Sequence, residues 1–207
     1  MNPWLIFGAA KGTGAHLVDC ALENQRPIFA LLRREEDAAR LRERGVIALV
    51  GDATDTVVVE RLCTMAGPDS TVISTMGGSQ DYLAHRTVID AAQKSGIKNM
   101  LMVTSLGCGD SWPTLSERAK AAFGQAVREK SLAEVWLQTS GLGYCILRPG
   151  GLLNGEATKK AQCYQHQEVH GFVNRSDVAL TIVAQIHQGL SGQIYSVVEP
   201  GLSPAGA

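Results

Sequence analysis

Three glycines near the start of the chain have the spacing of a phosphate-binding turn. In the stretch GAAKGTG they are Gly8, Gly12 and Gly14, which follow an apolar run and precede a helical pattern. Gly8 permits a sharp turn, Gly12 lets the backbone approach a phosphate, and Gly14 lets the helix pack close to the strand. The free N–H groups of the helix N-terminus, which include that of Thr13, attract an anion. The motif predicts a dinucleotide pyrophosphate site, and a glycine turn without a ligand is the alternative.

The glycines belong to a repeated alternation of short apolar runs and helical patterns. We predict strands at residues 3–8, 27–32, 46–50, 71–75, 98–104, 143–148 and 193–198, and helices over 13–25, 35–44, 54–66, 79–95 and within 115–140. Several strands are apolar on both sides of the pleat, as a sheet covered by helices on both faces requires. The alternation predicts an α/β fold, a Rossmann-like doubly wound and mostly parallel sheet. We expect Ser79 to cap the helix 79–95 and the last nine residues to fray.

Length, composition and charge exclude several classes of function. The chain has 207 residues, of which 45% are hydrophobic and 19% charged, and its net charge is −1. These values predict one domain over residues 1–207. The sequence shows no basic face of the kind that binds nucleic acid, so we expect no nucleic-acid partner. No apolar run is long enough for a signal peptide or a membrane span, so we expect a cytoplasmic protein without a membrane partner. Both a monomer and a homodimer remain open.

The cysteines and one histidine pair are the candidates for thiol or metal chemistry. The five cysteines are odd in number and form no C-x-x-C pair, which argues against a disulfide framework and a structural zinc site. We expect four of them to be small buried hydrophobes, whereas Cys108, in a glycine-rich loop, is the candidate reactive thiol. His166 and His170 lie four apart in HQEVH, but the glutamate is misplaced for H-E-x-x-H and no third ligand is evident. We therefore expect no metal.

The spacing of the glycine motif resembles that of a known superfamily. G-x-x-x-G-x-G is similar to the fingerprint of the short-chain dehydrogenases/reductases, whereas the commoner dinucleotide fingerprint is G-x-G-x-x-G. Across roughly residues 4–155, the chain resembles the small atypical NAD(P)H-binding branch that includes the NmrA-like proteins and the flavin reductases of the biliverdin-reductase-B type. The landmarks are FGAAKGTG, LLRR, GDATD, STMGG, VTSLG and SGLGYCILRPGGL, followed by NRSDVA. Many members read G-A-T-G-x-x-G, so Lys11-Gly12 departs from the commonest form.

Three cations indicate which dinucleotide binds. Arg33 and Arg34 end the second predicted strand, where an acidic residue would mark NAD. Lys11 precedes the second glycine, a position at which the resemblance associates a basic residue with NADP. An arginine fork suits a 2′-phosphate, and each charge-assisted hydrogen bond contributes about 1.5–3 kcal/mol, so we expect NADP(H). The alternative is that both arginines pair with the acidic residues of the next helix, of which Glu35 would then serve NADH.

Further cofactor residues are expected at the carboxyl ends of the strands, where ligands bind in open α/β sheets. The resemblance implies that Asp52 bonds the adenine amino group; the alternative is that Asp52 or Thr54 caps the helix 54–66. It also implies that the backbone from Arg148 to Gly151 lies near the nicotinamide carboxamide. The further cofactor residues are Asp52, Ala53, Thr75, Met76, Gly77, Thr104, Arg148, Pro149, Gly150 and Gly151.

The residues for proton transfer are incomplete. In this superfamily, enzymes that act on alcohols pair a serine with Tyr-x-x-x-Lys, in which the tyrosine passes the proton. Ser105 fits the serine and Lys130 the lysine, but Ala126 stands where the tyrosine is required. Reduction of a planar conjugated acceptor, such as a flavin, a bilin or a quinone, needs no strong acid from the protein. We expect Ser105, as the catalytic serine, to orient this acceptor or a water; the alternative is that Ser105 bonds its own loop backbone.

Two loops, at about 105–116 and 149–173, are expected to roof the acceptor site. Trp112 in the first loop is the candidate stacking platform, and the second loop is longer than a simple connection needs, which indicates a lid or rim. The residues and the resemblance together predict an NADPH-dependent oxidoreductase that transfers hydride to a small conjugated acceptor. The alternative is an NmrA-like redox sensor that binds NADP(H) without catalysis.

Overall fold

The computed structural model describes residues 1–204, in which strands and helices alternate along most of the chain. The strands are β1 (Trp4–Phe7), β2 (Ile28–Leu32), β3 (Ile47–Val50), β4 (Thr71–Ser74), β5 (Asn99–Val103), β6 (Gly143–Pro149), β7 (Gly151–Leu153), β8 (Gln162–Tyr164), β9 (Phe172–Asn174) and β10 (Gln193–Val198). The helices are α1 (Gly12–Glu23), α2 (Glu35–Glu43), α3 (Thr56–Ala66), α4 (Asp81–Lys94), α5 (Glu117–Gln138) and α6 (Arg175–Gln188). Every predicted strand and helix is present, and its ends differ from the prediction by at most two residues.

Eight of the strands form one sheet in the order β3-β2-β1-β4-β5-β6-β10-β8. Neighbouring strands run parallel except β8, which is antiparallel to β10. The strand order reverses between β1 and β4, and a crevice opens at such a point beyond the carboxyl ends of the strands. The remaining strands, β7 and β9, pair with each other in parallel. The predicted Rossmann-like doubly wound fold is confirmed.

Helices cover both faces of the sheet, which explains the fully apolar strands. Successive residues of β1 point to opposite faces: Trp4 and Ile6 pack in one buried cluster, and Leu5 and Phe7 pack in another. The first cluster is closed by apolar residues of α1, α2 and α6, and the second by those of α3, α4 and α5. The two clusters hold the sheet rigid beneath its carboxyl edge.

Sequence reasoning did not predict α6 or the short strands β7, β8 and β9. Val178, Ala179 and Ile182 are buried at helical spacing in α6, and this spacing is the sequence signal for the helix. The predicted loop at 149–173 contains β7 and β8, and the loop at 105–116 contains a 3-10 turn over Gly109–Thr114. The two segments are therefore more ordered than simple loops.

Several local predictions are wrong at the ends of elements. Gln80, not Ser79, is the N-cap residue of α4. Neither Asp52 nor Thr54 caps α3, because the Asp55 carboxylate accepts hydrogen bonds from the first N–H groups of that helix. The predicted tail begins too early, since Glu199 is buried and accepts a hydrogen bond of 2.6 Å from the Thr158 hydroxyl. Residues 205–207 of that tail lie outside the described residues.

The cysteines differ in burial from the prediction. Cys63, Cys108 and Cys145 are buried and Cys20 is half-buried, but Cys163 is exposed, so the prediction is wrong for Cys163. Burial raises the pKa of the Cys108 thiol to about 11, which leaves it protonated at neutral pH and argues against a reactive thiol. Within residues 1–204, no group of three or more His, Cys, Asp or Glu side chains has a geometry that could hold a metal. No helix in that range is long and apolar enough to cross a membrane.

Candidate cofactor and active site

A cavity of about 490 Å³ opens beyond the carboxyl ends of β1, β2, β4 and β5. Its position is the one expected for a ligand site in this fold. Many of the residues that the sequence predicts for cofactor binding line this cavity. They are Gly8, Lys11, Gly12, Thr13, Arg33, Asp52, Ala53, Thr75, Met76, Gly77 and Thr104.

The glycine loop is held where only glycine fits. A Cβ atom on Gly14 would lie 2.1 Å from the carbonyl oxygen of Gly8, which is far inside van der Waals contact. A Cβ atom on Gly8 would lie 2.6 Å from Oγ1 of Thr75, and the φ angle of Gly8 is +91°. Gly12 also has a positive φ, of +59°. The loop therefore turns tightly against β4 and presents its backbone, with the N-terminus of α1, to the cavity.

Cations outnumber carboxylates along the cavity wall. Among the described residues, the charged groups that line it are Lys11, Arg33, Lys130 and Arg175, against Asp52 and Asp81. Asp52 accepts hydrogen bonds from the hydroxyl and the backbone N–H of Thr54. These bonds, together with the nearby charge of Arg33, hold the pKa of Asp52 below its usual value. The wall thus favours an anionic ligand while keeping one carboxylate ionised.

The two adjacent arginines differ in their surroundings. Nε of Arg34 donates to Asp37 at 2.8 Å. Arg34 therefore pairs with an acidic residue of α2, which is the alternative that the sequence left open for both arginines. No hydrogen bond or ion pair within residues 1–204 involves the side chain of Arg33, which lines the cavity. Of the two arginines, only Arg33 lines the cavity and has a side chain without a hydrogen-bond or ion-pair partner among the described residues.

Lys130 extends from α5 into the cavity wall and is fixed there by two bonds. Its Nζ atom donates to Oδ2 of Asp81 at 2.8 Å and to the carbonyl oxygen of Met76 at 3.0 Å. Burial alone raises the pKa of Asp81, but the hydrogen bonds and charges of His85 and Lys130 outweigh it, and the net pKa is lowered. The structure therefore places the lysine predicted from the register next to Met76 and Gly77.

A second, fully buried link continues from Asp81 away from the cavity. Nδ1 of His85 lies 2.9 Å from the carbonyl oxygen and from Oδ1 of Asp81. Nε2 of His85 lies 2.7 Å from the Ser74 hydroxyl at the end of β4. The chain of contacts ties α4 and α5 to the strand end that carries Thr75 and Met76.

Some predicted site residues do not line the cavity. The Ser105 hydroxyl donates to the carbonyl oxygen of Leu106 at 3.0 Å, which is the alternative in which the serine bonds its own loop. The ring of Trp112 packs over α5, close to Gly124 and with Nζ of Lys120 at 5.7 Å from the ring centre. The catalytic role of Ser105 and the stacking role of Trp112 therefore stay predictions.

The segment from Arg148 to Gly151 is committed to packing. The Arg148 side chain is buried and pairs with Glu134 and Asp110 instead of facing the cavity. A Cβ atom on Gly150 would lie 2.3 Å from the carbonyl oxygen of Gly171, and one on Gly151 would strike the ring of Phe172. These glycines are required by the close approach of β7 to β9, and their contact with the cofactor, like that of Pro149, stays a prediction. Leu152 is the neighbour that reaches the cavity.

Comparison with known proteins shows which family this geometry represents. The sequence pattern described as NAD(P)H-binding matches residues 8–189, which includes the glycine loop and α6.

The chain belongs to the NAD(P)H-binding family.

Relatives of this NAD(P)H-binding protein include reductases. The structure of ChuY, an anaerobilin reductase from Escherichia coli O157:H7, is 61% identical with a TM-score of 0.97, and the alignment covers 98% of this chain and 100% of ChuY. ChuY from E. coli CFT073 is 58% identical with a TM-score of 0.93, over 99% and 100% of the two chains. The Bacillus subtilis protein YhfK, named an uncharacterized sugar epimerase, is 30% identical over 88% of this chain and 87% of its own. The chain is an NAD(P)H-binding oxidoreductase of the atypical short-chain dehydrogenase/reductase branch.

Sequence reasoning missed one cation that lines this cavity. Arg175, the first residue of α6, lies over the glycine loop, with its Cδ atom 3.2 Å from where a Cβ atom of Gly12 would be. Its Nη1 atom donates to Asn154 Oδ1 at 2.8 Å and to the carbonyl oxygen of Leu152 at 3.2 Å. The signal for it in the sequence is NRSDVA, a landmark of the family resemblance that contains this arginine.

Proposed function

We propose that the protein is an NADPH-dependent reductase of a linear tetrapyrrole. One observation carries the cofactor site: a glycine-lined cavity at the switch point of the sheet whose wall holds Lys11, Arg33 and Arg175. The acceptor class is drawn from ChuY, which matches this chain over nearly its whole length and is an anaerobilin reductase. A bilin is one of the conjugated acceptors that the missing tyrosine favours.

Arg33 and Lys11 would select NADPH over NADH. Arg33 follows β2, the position at which the Rossmann fold reads the adenosine ribose, and it has no partner within residues 1–204. An uncommitted guanidinium binds a phosphate through paired hydrogen bonds without first breaking an ion pair. The preference is expected to rest on Arg33 more than on Arg34, because Asp37 holds Arg34.

The pyrophosphate would lie between the N-terminus of α1 and Arg175. Gly8 and Gly14 leave room for this approach, since a Cβ atom on either would fill the tight loop. The α1 N-terminus offers N–H groups and a partial positive charge. Arg175 adds a full charge on the opposite side of Gly12, and its present partners, Leu152 and Asn154, are neutral. The residues present therefore fit a dinucleotide.

The remaining residues of the site position the two reactants and take no part in the reaction themselves. The nicotinamide cofactor, when bound, supplies the hydride for the conjugated acceptor. Lys130, fixed by Asp81 and Met76, presents its third N–H to the cavity, where a bound ribose hydroxyl or carboxylate would meet it. Holding the two reactants in contact contributes several kcal/mol to the rate without acid–base help. Ser105 and Trp112 are proposed to contact the acceptor from the adjacent loop.

A panel of acceptors tests the proposal. NADPH oxidation is followed with biliverdin, FMN and a quinone as acceptors at equal concentration, each with NADH in parallel. Fastest turnover with the tetrapyrrole and NADPH supports the proposed function. Turnover restricted to FMN or the quinone would show that the acceptor is not a tetrapyrrole. Tight NADPH binding without turnover on any acceptor would favour a redox sensor that binds NADP(H) without catalysis.

A further inference from the structure

One buried carboxylate joins three elements beneath the cavity. Glu134 of α5 is 1% exposed, and its Oε1 atom lies 2.6 Å from the hydroxyl of Thr104 at the end of β5. The guanidinium of Arg148 in β6 binds Glu134 with two bonds, from Nε to Oε1 at 3.0 Å and from Nη2 to Oε2 at 2.7 Å. Arg148 is 5% exposed, so the pair is shielded from water.

The arginine fork makes both oxygens of Glu134 hydrogen-bond acceptors. Burial lowers the pKa of Arg148, but the hydrogen bonds and charge of Glu134 outweigh burial, and the net pKa is raised. A guanidinium that donates to both carboxylate oxygens requires an ionised carboxylate, which only accepts hydrogen bonds. The Thr104 hydroxyl has a single proton, so it must donate that proton to Glu134.

Thr104 lines the cavity. Its bond to Glu134 sets the polarity of its hydroxyl oxygen. With its proton held by Glu134, the hydroxyl oxygen can only accept from a ligand. We propose that Thr104 is a fixed hydrogen-bond acceptor for an N–H group of a bound ligand, and that Glu134 and Arg148 are positioning residues that set this polarity. The inference rests on the ligand site of the proposed function. Two N–H donors are candidates at Thr104, the nicotinamide carboxamide and a tetrapyrrole ring, since the adenine amino group is expected at Asp52.

The surrounding turn is shaped to enclose the pair. A Cβ atom on Gly109 would lie 2.5 Å from Nη2 of Arg148, and Gly109 has a φ of +55°. Its backbone N–H donates to the Ser131 hydroxyl at 3.0 Å, which fixes the turn to α5. Asp110 from the same turn is the second partner of Arg148. The pair is thus closed over by a segment that accommodates no side chain at Gly109.

The matched variants Thr104→Val and Thr104→Ser test the acceptor role. The dissociation constant for NADPH is measured by calorimetry, and that for biliverdin by its absorbance in the presence of NADP+, where no turnover occurs. Valine keeps the shape of threonine and removes the acceptor, so one of the two constants is expected to rise about 5- to 10-fold, while serine keeps both near wild type. A rise for NADPH identifies the carboxamide as the donor, and a rise for biliverdin identifies a pyrrole N–H.

The variant Glu134→Gln tests the positioning role. The glutamine amide can donate to the Thr104 oxygen, which then turns its proton toward the cavity and repels an N–H donor. The dissociation constant that rises in Thr104→Val is expected to rise in Glu134→Gln as well. The double variant, which combines the two substitutions, is expected to show no further rise. A merely structural role of Glu134 would instead give additive losses of affinity. Thermal unfolding of each variant checks that it is folded.

Two results would overturn the inference while leaving the proposed function intact. One is wild-type affinity of Thr104→Val for both ligands, which keeps the test decisive even if Glu134→Gln does not fold. The other is full additivity in the double variant. A wild-type protein that binds no NADPH would instead overturn the proposed function and this inference together.

Discussion

Nζ of Lys130 lies 2.8 Å from Oδ2 of the buried Asp81, and this ion pair joins α5 to the start of α4 at the wall of the cavity. Because His85 contacts the same carboxylate, the charge of Asp81 is shared between a group at the cavity and a group in the core. The lysine keeps a defined place although the tyrosine that accompanies it in related dehydrogenases is Ala126 here.

Replacing Asp81 with asparagine is expected to destabilise the fold by about 3 kcal/mol at pH 7, because removing one partner of a buried pair leaves the other uncompensated. The pKa of Asp81 is lowered in the folded protein, so its contribution is present above the usual carboxyl pKa and is lost as pH falls through the folded value. Chemical denaturation at pH 7 and below about pH 4 measures the difference between the variant and the wild type. The control is Asp69→Asn, at an exposed aspartate. A difference that does not shrink in acid would contradict this assignment.

Replacing Arg33 with alanine is expected to weaken NADPH binding about 10- to 100-fold and to change NADH binding little, since only NADPH has the 2′-phosphate. Arg34→Ala is the matched control, because Asp37 already occupies the Arg34 side chain. Titration calorimetry with both dinucleotides provides the four dissociation constants. Equal losses for NADPH and NADH in Arg33→Ala would remove Arg33 from the 2′-phosphate site.

Replacing Arg175 with glutamine is expected to weaken NADPH and NADH by the same factor, about 10-fold, because both carry the pyrophosphate. Asn154→Ala is the control, since it removes a partner of Arg175 without removing the charge. The readout is the ratio of the dissociation constants for the two dinucleotides. A loss confined to NADPH would move Arg175 from the pyrophosphate to the 2′-phosphate.

Replacing Gly14 with alanine is expected to lower stability by about 1–3 kcal/mol, because its Cβ atom would overlap the carbonyl oxygen of Gly8. Gly77→Ala is the matched control: the nearest atom to its Cβ position is Nζ of Lys130 at 4.0 Å, so the fold has room. Thermal unfolding without ligand compares the two variants. An unchanged midpoint for Gly14→Ala would show that the glycine loop is less rigid than the structure indicates.

Local patterns predicted seven strands, five helices and the glycine loop, because each of these features depends on neighbouring residues. Lys130 was placed by counting back from the end of its helix, and the structure brings it to the cavity. Arg175 reaches the glycine loop only through the packing of α6 on α1, which no local pattern contains. Glu134 resembles the other charged residues of α5 in sequence, and its burial beneath Thr104 depends on how three elements meet. The cavity's charge balance was therefore only partly predictable.

The most direct test of the account is an anaerobic single turnover of anaerobilin with the wild-type protein and one equivalent of NADPH. The absorbance of the nicotinamide and that of the tetrapyrrole are recorded together. We expect both to change at the same rate, with one NADPH consumed per tetrapyrrole reduced, and NADH to react more slowly. An unchanged tetrapyrrole spectrum while NADPH is bound, or equal rates with NADH, would show that the protein is not an NADPH-dependent tetrapyrrole reductase.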